Sequence, residues 1–402
     1  WVLAMIVLGI GAVVLFYCTW YFTDESLGVP RFAGTLTAFV AAMLGLVLSD
    51  DLLLTYVFWE LTTVFSFLLV GHDATRRAAR QAAVQALVVT TRGGVGVLAG
   101  ALRVGQAGAP HRMSGILLDP PAGTAVTVAV HLILLGAISK SALVPFHFWL
   151  PAAMAAPTPV SAYLHAASMV KAGVFLVALL APAFAGVPGW RPVLLVLGLA
   201  TMLLGGYRAL RQYDLKLLLA YGTVSQLGFM ILVLGVGTRS AMVAGLAVVI
   251  GHALFKATLF LVVGLIDRTV GTRDLRRLSG LARRMPWVAL AASLAAASMA
   301  GLPPLLGYVA KESVFVALLD VAREGDGTGV AGLWGWLLFG GVVVGSALTV
   351  AYSARFVWGA FGERSLTETL PARTVPRGFA AGPPLARLAG VVFRFAGGPP
   401  PP

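Results

Sequence analysis

Long apolar stretches recur along most of the chain, and they constrain its fold more than any other feature. A helix needs about 20 apolar residues to cross a bilayer, and we count about eleven candidates. They cover residues 1–22, 31–48, 51–71, 82–104, 122–149, 159–184, 192–207, 215–236, 241–266, 286–318 and 331–360. The sequence therefore predicts an all-α polytopic membrane protein with about eleven transmembrane helices.

The composition agrees with this class. Hydrophobic residues make up 59% of the chain and charged residues 11%, with a mean hydropathy of +0.90, whereas soluble domains carry about 25% charged residues. A net charge of +13 could indicate nucleic-acid binding, but the arginines lie in short loops between apolar stretches, where they set membrane orientation. We therefore predict no nucleic-acid partner. Cys18 is the only cysteine, which excludes a disulfide framework within the chain.

The basic residues are unevenly divided between the loops. Loops after odd-numbered stretches carry Arg76, Arg77, Arg80, Arg208, Arg211, Lys216, Arg268, Arg273, Arg276, Arg277, Arg283 and Arg284. Loops after even-numbered stretches carry Arg103, Arg112, Arg191, Arg239 and Arg323. The positive-inside rule then predicts that the odd-numbered loops are cytoplasmic and that Trp1 lies on the outer side.

Two of the stretches contain helix breakers. The fifth is interrupted at Pro145, and the tenth at 301–304, which includes Pro303 and Pro304. The breaks lie five stretches apart, an odd offset, so the two copies would run in opposite directions across the membrane. This is the arrangement of inverted repeats with discontinuous helices, and we predict two five-helix repeats, stretches 2–6 and 7–11.

Ionisable residues inside the apolar stretches are the candidate site. They are Glu60, Lys140, His165, Lys171, His252, Lys256, Lys311 and Glu312, with Arg92 as a possible charge partner. A charge at the bilayer centre costs about 2.5–3.5 kcal/mol on insertion scales, so such residues are candidates for an ion or proton path. Individually, a lysine could instead snorkel from a helix end or a histidine could cap a broken turn.

A row of these groups would work as a proton relay. Burial destabilises a protonated lysine and a nearby carboxylate stabilises it, so movement of the proton or of either partner changes the affinity for the next proton. The chain has no H-E-x-x-H or G-x-S-x-G motif of a hydrolase, and no haem or iron–sulfur ligation pattern. An ion or proton path is therefore the first hypothesis, and we predict no catalytic site, no metal and no cofactor in this chain.

Several segments resemble a known family. They are Trp59-Glu60, the break from Lys140 to Pro145, APTPVSA at 156–162, HAASMVKAG at 165–173, DLK at 214–216, YGTVSQLG at 221–228 and GHALFKA at 251–257. Together they are similar to the antiporter-like core shared by Mrp-type cation/proton antiporters and the proton-pumping subunits of respiratory complex I. Within that family, FWELT at 58–62 and VGLIDRTVGTRD at 263–274 most resemble the large A subunit of Mrp antiporters.

The resemblance implies roles for matching residues. Glu60 would be the paired acid and Lys140 its partner. His165 and Lys256 would form the central relay, and Lys311 with Glu312 the exit. Arg92 departs from the Mrp pattern and is more like the complex I large subunit.

The resemblance also implies a function, a location and partners. It implies a proton-translocating subunit of a multi-subunit Mrp-type sodium/proton antiporter in a prokaryotic cell membrane, with other membrane subunits, protons and Na⁺ as partners. The alternative is a proton-pumping subunit of NADH:quinone oxidoreductase (complex I) or a membrane-bound hydrogenase, part of a translocase driven by redox centres in other subunits.

We expect one membrane domain, residues 1–362, followed by a disordered tail at 363–402, which is rich in Pro, Gly and Arg. The chain opens at Trp1, inside an apolar stretch. The family's first helices have no counterpart before it, so we expect an N-terminally truncated chain.

Overall fold

The computed structural model describes residues 1–22, 28–107, 111–324 and 332–363, and the regular secondary structure of these residues is helical. The long helices are α1 (Val2–Tyr21), α2 (Val29–Leu48), α3 (Leu52–Val70), α4 (Arg77–Gln106), α6 (Thr124–Lys140), α9 (Lys171–Phe184), α10 (Trp190–Leu210), α11 (Leu215–Val236), α12 (Arg239–Val270), α14 (Pro286–Ala300), α15 (Leu306–Glu324) and α16 (Leu333–Phe361). Short helices are α5 (Met113–Leu118), α7 (Trp149–Ala152), α8 (Thr158–Ala166) and α13 (Leu281–Arg284). The predicted disordered tail lies outside the described residues from 364 onward.

Nine spans among the described residues are long and apolar enough to cross a membrane, counting α8 and α9 together as one. Two shorter apolar helices, α6 and α14, belong to the stretches predicted to be broken. The prediction of an all-α, multi-pass membrane fold is confirmed. Two spans extend beyond their predicted bounds of 82–104 and 241–266, since α4 and α12 continue by about a turn at one or both ends.

The fifth stretch breaks directly after Lys140, as predicted. Ala142 adopts a left-handed conformation with φ of 52°, and Val144–Pro145 is a cis peptide bond. The backbone then continues through a 3₁₀ turn at Phe146–Phe148, α7 and a second 3₁₀ turn at Ala153–Ala155. The break leaves Lys140 as the last residue of α6, buried inside the bundle.

The tenth stretch breaks between α14 and α15, again as predicted. Gly301 has φ of 86°, which favours glycine, and Leu302 N donates to Ala297 O in the closing turn. Pro303–Pro304 is a cis peptide bond. The two breaks therefore lie five stretches apart, as the predicted repeats require.

A third break was not predicted. The sixth stretch, expected to be one helix over 159–184, is divided into α8 and α9 by a turn at residues 167–170. In this turn the Ser168 hydroxyl donates to Tyr163 O, and Lys171 N donates to Ser168 O instead of an i−4 carbonyl. Neither proline nor glycine marks the position, so the sequence carried no signal for it.

Loops after odd-numbered stretches meet on one side of the bundle, which we call the arginine-rich side. Leu275 N donates to Tyr213 O, Gly280 N donates to Gly362 O, and the Arg268 guanidinium lies over the Tyr21 ring at the end of α1. On the opposite side, Asp50 O accepts from Met113 N. The division of the loops into two groups therefore agrees with the sequence, while the compartment that each side faces stays a prediction.

Candidate functional site

The Lys140 side chain projects from the end of α6 into α3. It is fully buried, and its Nζ donates to Trp59 O at 2.6 Å, to Thr62 Oγ1 at 2.7 Å and to Thr63 Oγ1 at 3.1 Å. The ammonium also lies 4.4 Å from the centre of the Trp59 ring. Three N–H donors thus have three oxygen acceptors, which is the full capacity of a lysine.

Glu60 lies next to these acceptors in sequence, but its carboxylate makes no ion pair within 4 Å of Lys140. Four ion pairs lie within 4 Å among the described residues, and neither Glu60 nor Lys140 is in them. The two charges still influence each other electrostatically across the α3–α6 contact. Glu60 is half-buried, beside the Thr91 hydroxyl, and its Oε1 is buried without a hydrogen-bond partner. Glu60 and Lys140, which we expected to form an ion pair, are therefore close to each other but not in direct contact.

A glycine on α4 makes room for the Glu60 carboxylate. A Cβ added at Gly94 would overlap Glu60 Oε1 and would come within 3.4 Å of Trp59 Cδ1. Arg92 lies on the same helix but is exposed on the outer face of the bundle, and it makes no ion pair with Glu60 within 4 Å. Arg92 is therefore not in direct contact with Glu60 as a charge partner.

His165 and Lys171 lie on either side of the unpredicted break. His165 is fully buried on α8, and neither ring nitrogen has a partner among the described residues. Its ring lies between Trp149 and Phe260, 6.3 and 6.4 Å away between ring centres. Lys171 begins α9 and donates from Nζ to Val249 O of α12 at 3.0 Å. Buried imidazole nitrogens in native interiors are usually hydrogen-bonded to protein or to ordered water, so both ring nitrogens of His165 are candidates for bonds to water.

The break also brings α8 to α12. His252 lies against the carbonyl group of Ala166, although neither of its ring nitrogens has a hydrogen bond of good geometry. One turn further along α12, Lys256 donates from Nζ to Leu219 O of α11 at 3.1 Å. Gly222 permits this approach, since an added Cβ would lie 2.9 Å from Lys256 Nζ. The i, i+4 spacing of His252 and Lys256 therefore does form one buried polar seam.

Lys311 lies at the second predicted break. Its Nζ donates at 2.9 Å to Ala300 O, the last carbonyl of α14. A small cavity lies between Lys311 and α12, and its lining includes Gln226, Gly251 and Ser298. Gly251 directly precedes His252 on α12, so the cavity lies close to His252 along that helix. Glu312, by contrast, is exposed on the bundle surface and does not join the buried row.

The structure adds one buried cation that the sequence analysis counted as a loop residue. Lys216 is 1% exposed at the start of α11, where its Nζ donates to Met154 O at 2.9 Å and to Ala156 O at 2.5 Å. The DLK segment carried the only available signal, since Asp214 caps α11 and places Lys216 in its first turn.

The row Lys140, Lys171, Lys256 and Lys311 shares one chemical design. Every ammonium is buried and bonded to a backbone carbonyl on a neighbouring helix. A backbone carbonyl is uncharged and stabilises a lysine ammonium less than a carboxylate would. The proton affinity of these lysines is therefore sensitive to changes in neighbouring charges. Among the described residues, no group of three or more His, Cys, Asp or Glu side chains could hold a metal ion.

A family profile for the transmembrane region of the NADH:quinone oxidoreductase/Mrp antiporter family matches residues 49–324, which contain this entire row. The chain belongs to this family. The recognition made from the sequence segments is confirmed, and so is the antiporter-like membrane fold.

Curated relatives place the chain close to antiporter A subunits. It is 42% identical over 368 residues to a probable K⁺/H⁺ antiporter A/B subunit of Rhizobium meliloti, an alignment covering 90% of this chain and 36% of the relative. It is 42% identical over 333 residues to the Na⁺/H⁺ antiporter A subunit of Alkalihalophilus pseudofirmus, covering 79% and 41%. The Na⁺/H⁺ antiporter A subunit of Bacillus subtilis is 39% identical, with 96% and 50% covered. The chain therefore spans half the length of these relatives or less.

Two solved structures share the fold. A chain of the Mrp complex from Dietzia sp. DQ12-45-1b superposes with a TM-score of 0.85 at 42% identity, covering 97% of this chain and 41% of that one. A chain of an archaeal membrane-bound sulfane sulfur reductase superposes with a TM-score of 0.83 at 23% identity, covering 98% and 79%. The second likeness concerns the fold alone. The same helical fold therefore occurs in chains of two different complexes.

Proposed function

We propose that this chain is the proton-translocating part of an Mrp-type monovalent cation/proton antiporter subunit. The observation that carries the proposal is the row of buried lysines, each bonded to a backbone carbonyl, that runs from Lys140 to Lys311. Support for an antiporter over a redox-driven pump comes from the relatives, which are named as Na⁺/H⁺ and K⁺/H⁺ antiporter subunits.

In the proposed mechanism, a proton enters near Glu60, whose charge tunes Lys140 without contacting it. The neighbouring histidines, His165 and His252, carry protons between the lysines, because imidazole can donate and accept at its two nitrogens. The proton leaves through the cavity beside Lys311. Exchange for a cation takes place within an assembly of several membrane subunits in a prokaryotic cell membrane.

The test uses inverted vesicles that contain the full subunit set and lack any electron donor. After a proton gradient has been formed, added Na⁺ is expected to discharge it, and a parallel sample with K⁺ identifies the exchanged cation. Vesicles with Lys140→Ala serve as the control and are expected to hold their gradient. If discharge requires NADH or another reductant, a complex I-like or hydrogenase-like pump replaces this proposal.

A further inference from the structure

The basic residues of this chain are divided by type between the interior and the surface. The sequence has five lysines and 24 arginines. All five lysines are buried, at 8% exposure or less, whereas every arginine among the described residues is half-buried or exposed. Arginine keeps its proton under all conditions that proteins experience, whereas a lysine can release it. In the part of the chain that the structure describes, the interior therefore holds only cations that can lose their charge.

Four of these lysines form the row already described, and Lys216 is the fifth. Its position in the first turn of α11 is unfavourable for a fixed cation, because the N-terminus of a helix carries the positive end of the helix dipole. It is held instead by Met154 O and Ala156 O, at the end of the discontinuous segment that leads from α7 into α8. Two of the three N–H donors of Lys216 thus have acceptors among the described residues.

The charged groups around Lys216 divide into two sets. On the arginine-rich side lie Asp214, Asp267, Arg273 and Arg76, which all act on Lys216 electrostatically. Both aspartates there face Arg273, at 3.3 and 3.6 Å, and no carboxylate among the described residues forms an ion pair with Lys216 within 4 Å. Toward the interior, the charge of Lys216 acts on His165 of α8. Lys216 thus lies between the arginine-rich surface and a buried imidazole without partners.

We propose that Lys216 is a proton-carrying residue that loads the relay from the arginine-rich side. The neutral amine takes a proton from water through its lone pair, and an Nζ–H bond then breaks as a proton passes through water to an unpaired ring nitrogen of His165. In its charged form Lys216 holds the 154–156 carbonyls, and in its neutral form it loosens that hold. This inference rests on the proposed function, since it assigns a further carrier to the same path.

Three variants in the full antiporter complex test it, with assembly followed on native gels and exchange followed in inverted vesicles. Lys216→Arg keeps the charge and the donors but cannot release a proton, so we expect exchange to fall at least about 10-fold with assembly intact. Lys216→His keeps a titratable group of lower proton affinity, so exchange is expected to persist with its pH dependence moved to lower pH. Arg211→Lys, at an exposed position on the same side, is the control and should match the unaltered chain.

Wild-type exchange in Lys216→Arg would overturn the proposal, since a static cation would then suffice. An assembled Lys216→His variant that either keeps the wild-type pH dependence or is inactive at every pH would overturn it too. If the complex with Lys216→Arg fails to assemble, the pH dependence of exchange in the Lys216→His variant is the deciding measurement. A complex with unaltered Lys216 that exchanges no cation at all would refute the proposed function rather than this inference.

Discussion

Lys140 Nζ lies 2.6 Å from the Trp59 carbonyl oxygen, yet it makes no ion pair within 4 Å of Glu60, the next residue along α3. The lysine is therefore stabilised by the backbone and hydroxyls of α3, while the adjacent carboxylate acts from a distance. Because the two groups do not touch, a change in the protonation of either one breaks no direct contact between them.

The first prediction concerns the coupling between these two residues. Glu60→Gln and Lys140→Met are each expected to abolish exchange, because one removes the tuning charge and the other the carrier. The double variant should regain part of the stability lost in the single variants but no exchange. A double-mutant cycle on thermal unfolding is expected to give a coupling of about 0.5–3 kcal/mol. Strictly additive effects would show that the charges do not interact.

The second prediction uses Gly94 to move the Glu60 carboxylate without removing it. Gly94→Ala places a methyl group where Oε1 now lies, and the carboxylate, the end of a flexible side chain, has to shift. We expect exchange to fall about 10- to 100-fold, since small displacements of a reacting group have effects of that size. Gly34→Ala is the matched control, because nothing lies within 4 Å of its added Cβ. Equal exchange rates in the two variants would contradict the prediction.

A third prediction tests the hydroxyls that hold Lys140. Thr62→Val keeps the shape of the side chain and removes the acceptor that lies 2.7 Å from Lys140 Nζ. Loss of a partner for a buried charged donor costs about 1–3 kcal/mol or more, so we expect slower exchange and a lower unfolding temperature. Thr269→Val, which removes a buried hydroxyl bonded only to its own helix and to Met285, is expected to keep wild-type exchange. Unchanged exchange in Thr62→Val would mean that this bond does not matter.

The fourth prediction concerns orientation. With Cys18 replaced by serine, a single cysteine is introduced at Arg276 on the arginine-rich side or at Asp119 on the opposite side, both exposed. A membrane-impermeant thiol reagent applied to intact cells should label the Asp119 position and spare the Arg276 position, because arginine-rich loops are retained in the cytoplasm. The reverse labelling pattern would invert the proposed direction of transport.

The sequence predicted the membrane fold well because the bilayer acts as the solvent of this protein and restricts which structures can span it. Hydrocarbon requires each spanning segment to satisfy its own backbone, so apolar length alone identifies the helices. The same requirement makes Pro145 and the Gly301–Pro304 region visible as breaks, since proline removes a donor and glycine permits the left-handed turn. The turn between α8 and α9 escaped notice because Ser168 and its neighbours form it through side-chain and i−3 bonds, which have no such marker.

The sequence by itself also determined which residues are candidates, because the membrane penalises any charge within a span. Only the tertiary structure decided their partners. It placed Lys140 on the Trp59 carbonyl instead of on Glu60, left Glu312 and Arg92 on the surface, and buried Lys216 beneath a loop. These outcomes depend on which helix faces meet and how closely glycines such as Gly94 let them approach. Contacts between residues far apart in the chain leave no periodic pattern in either partner's own sequence.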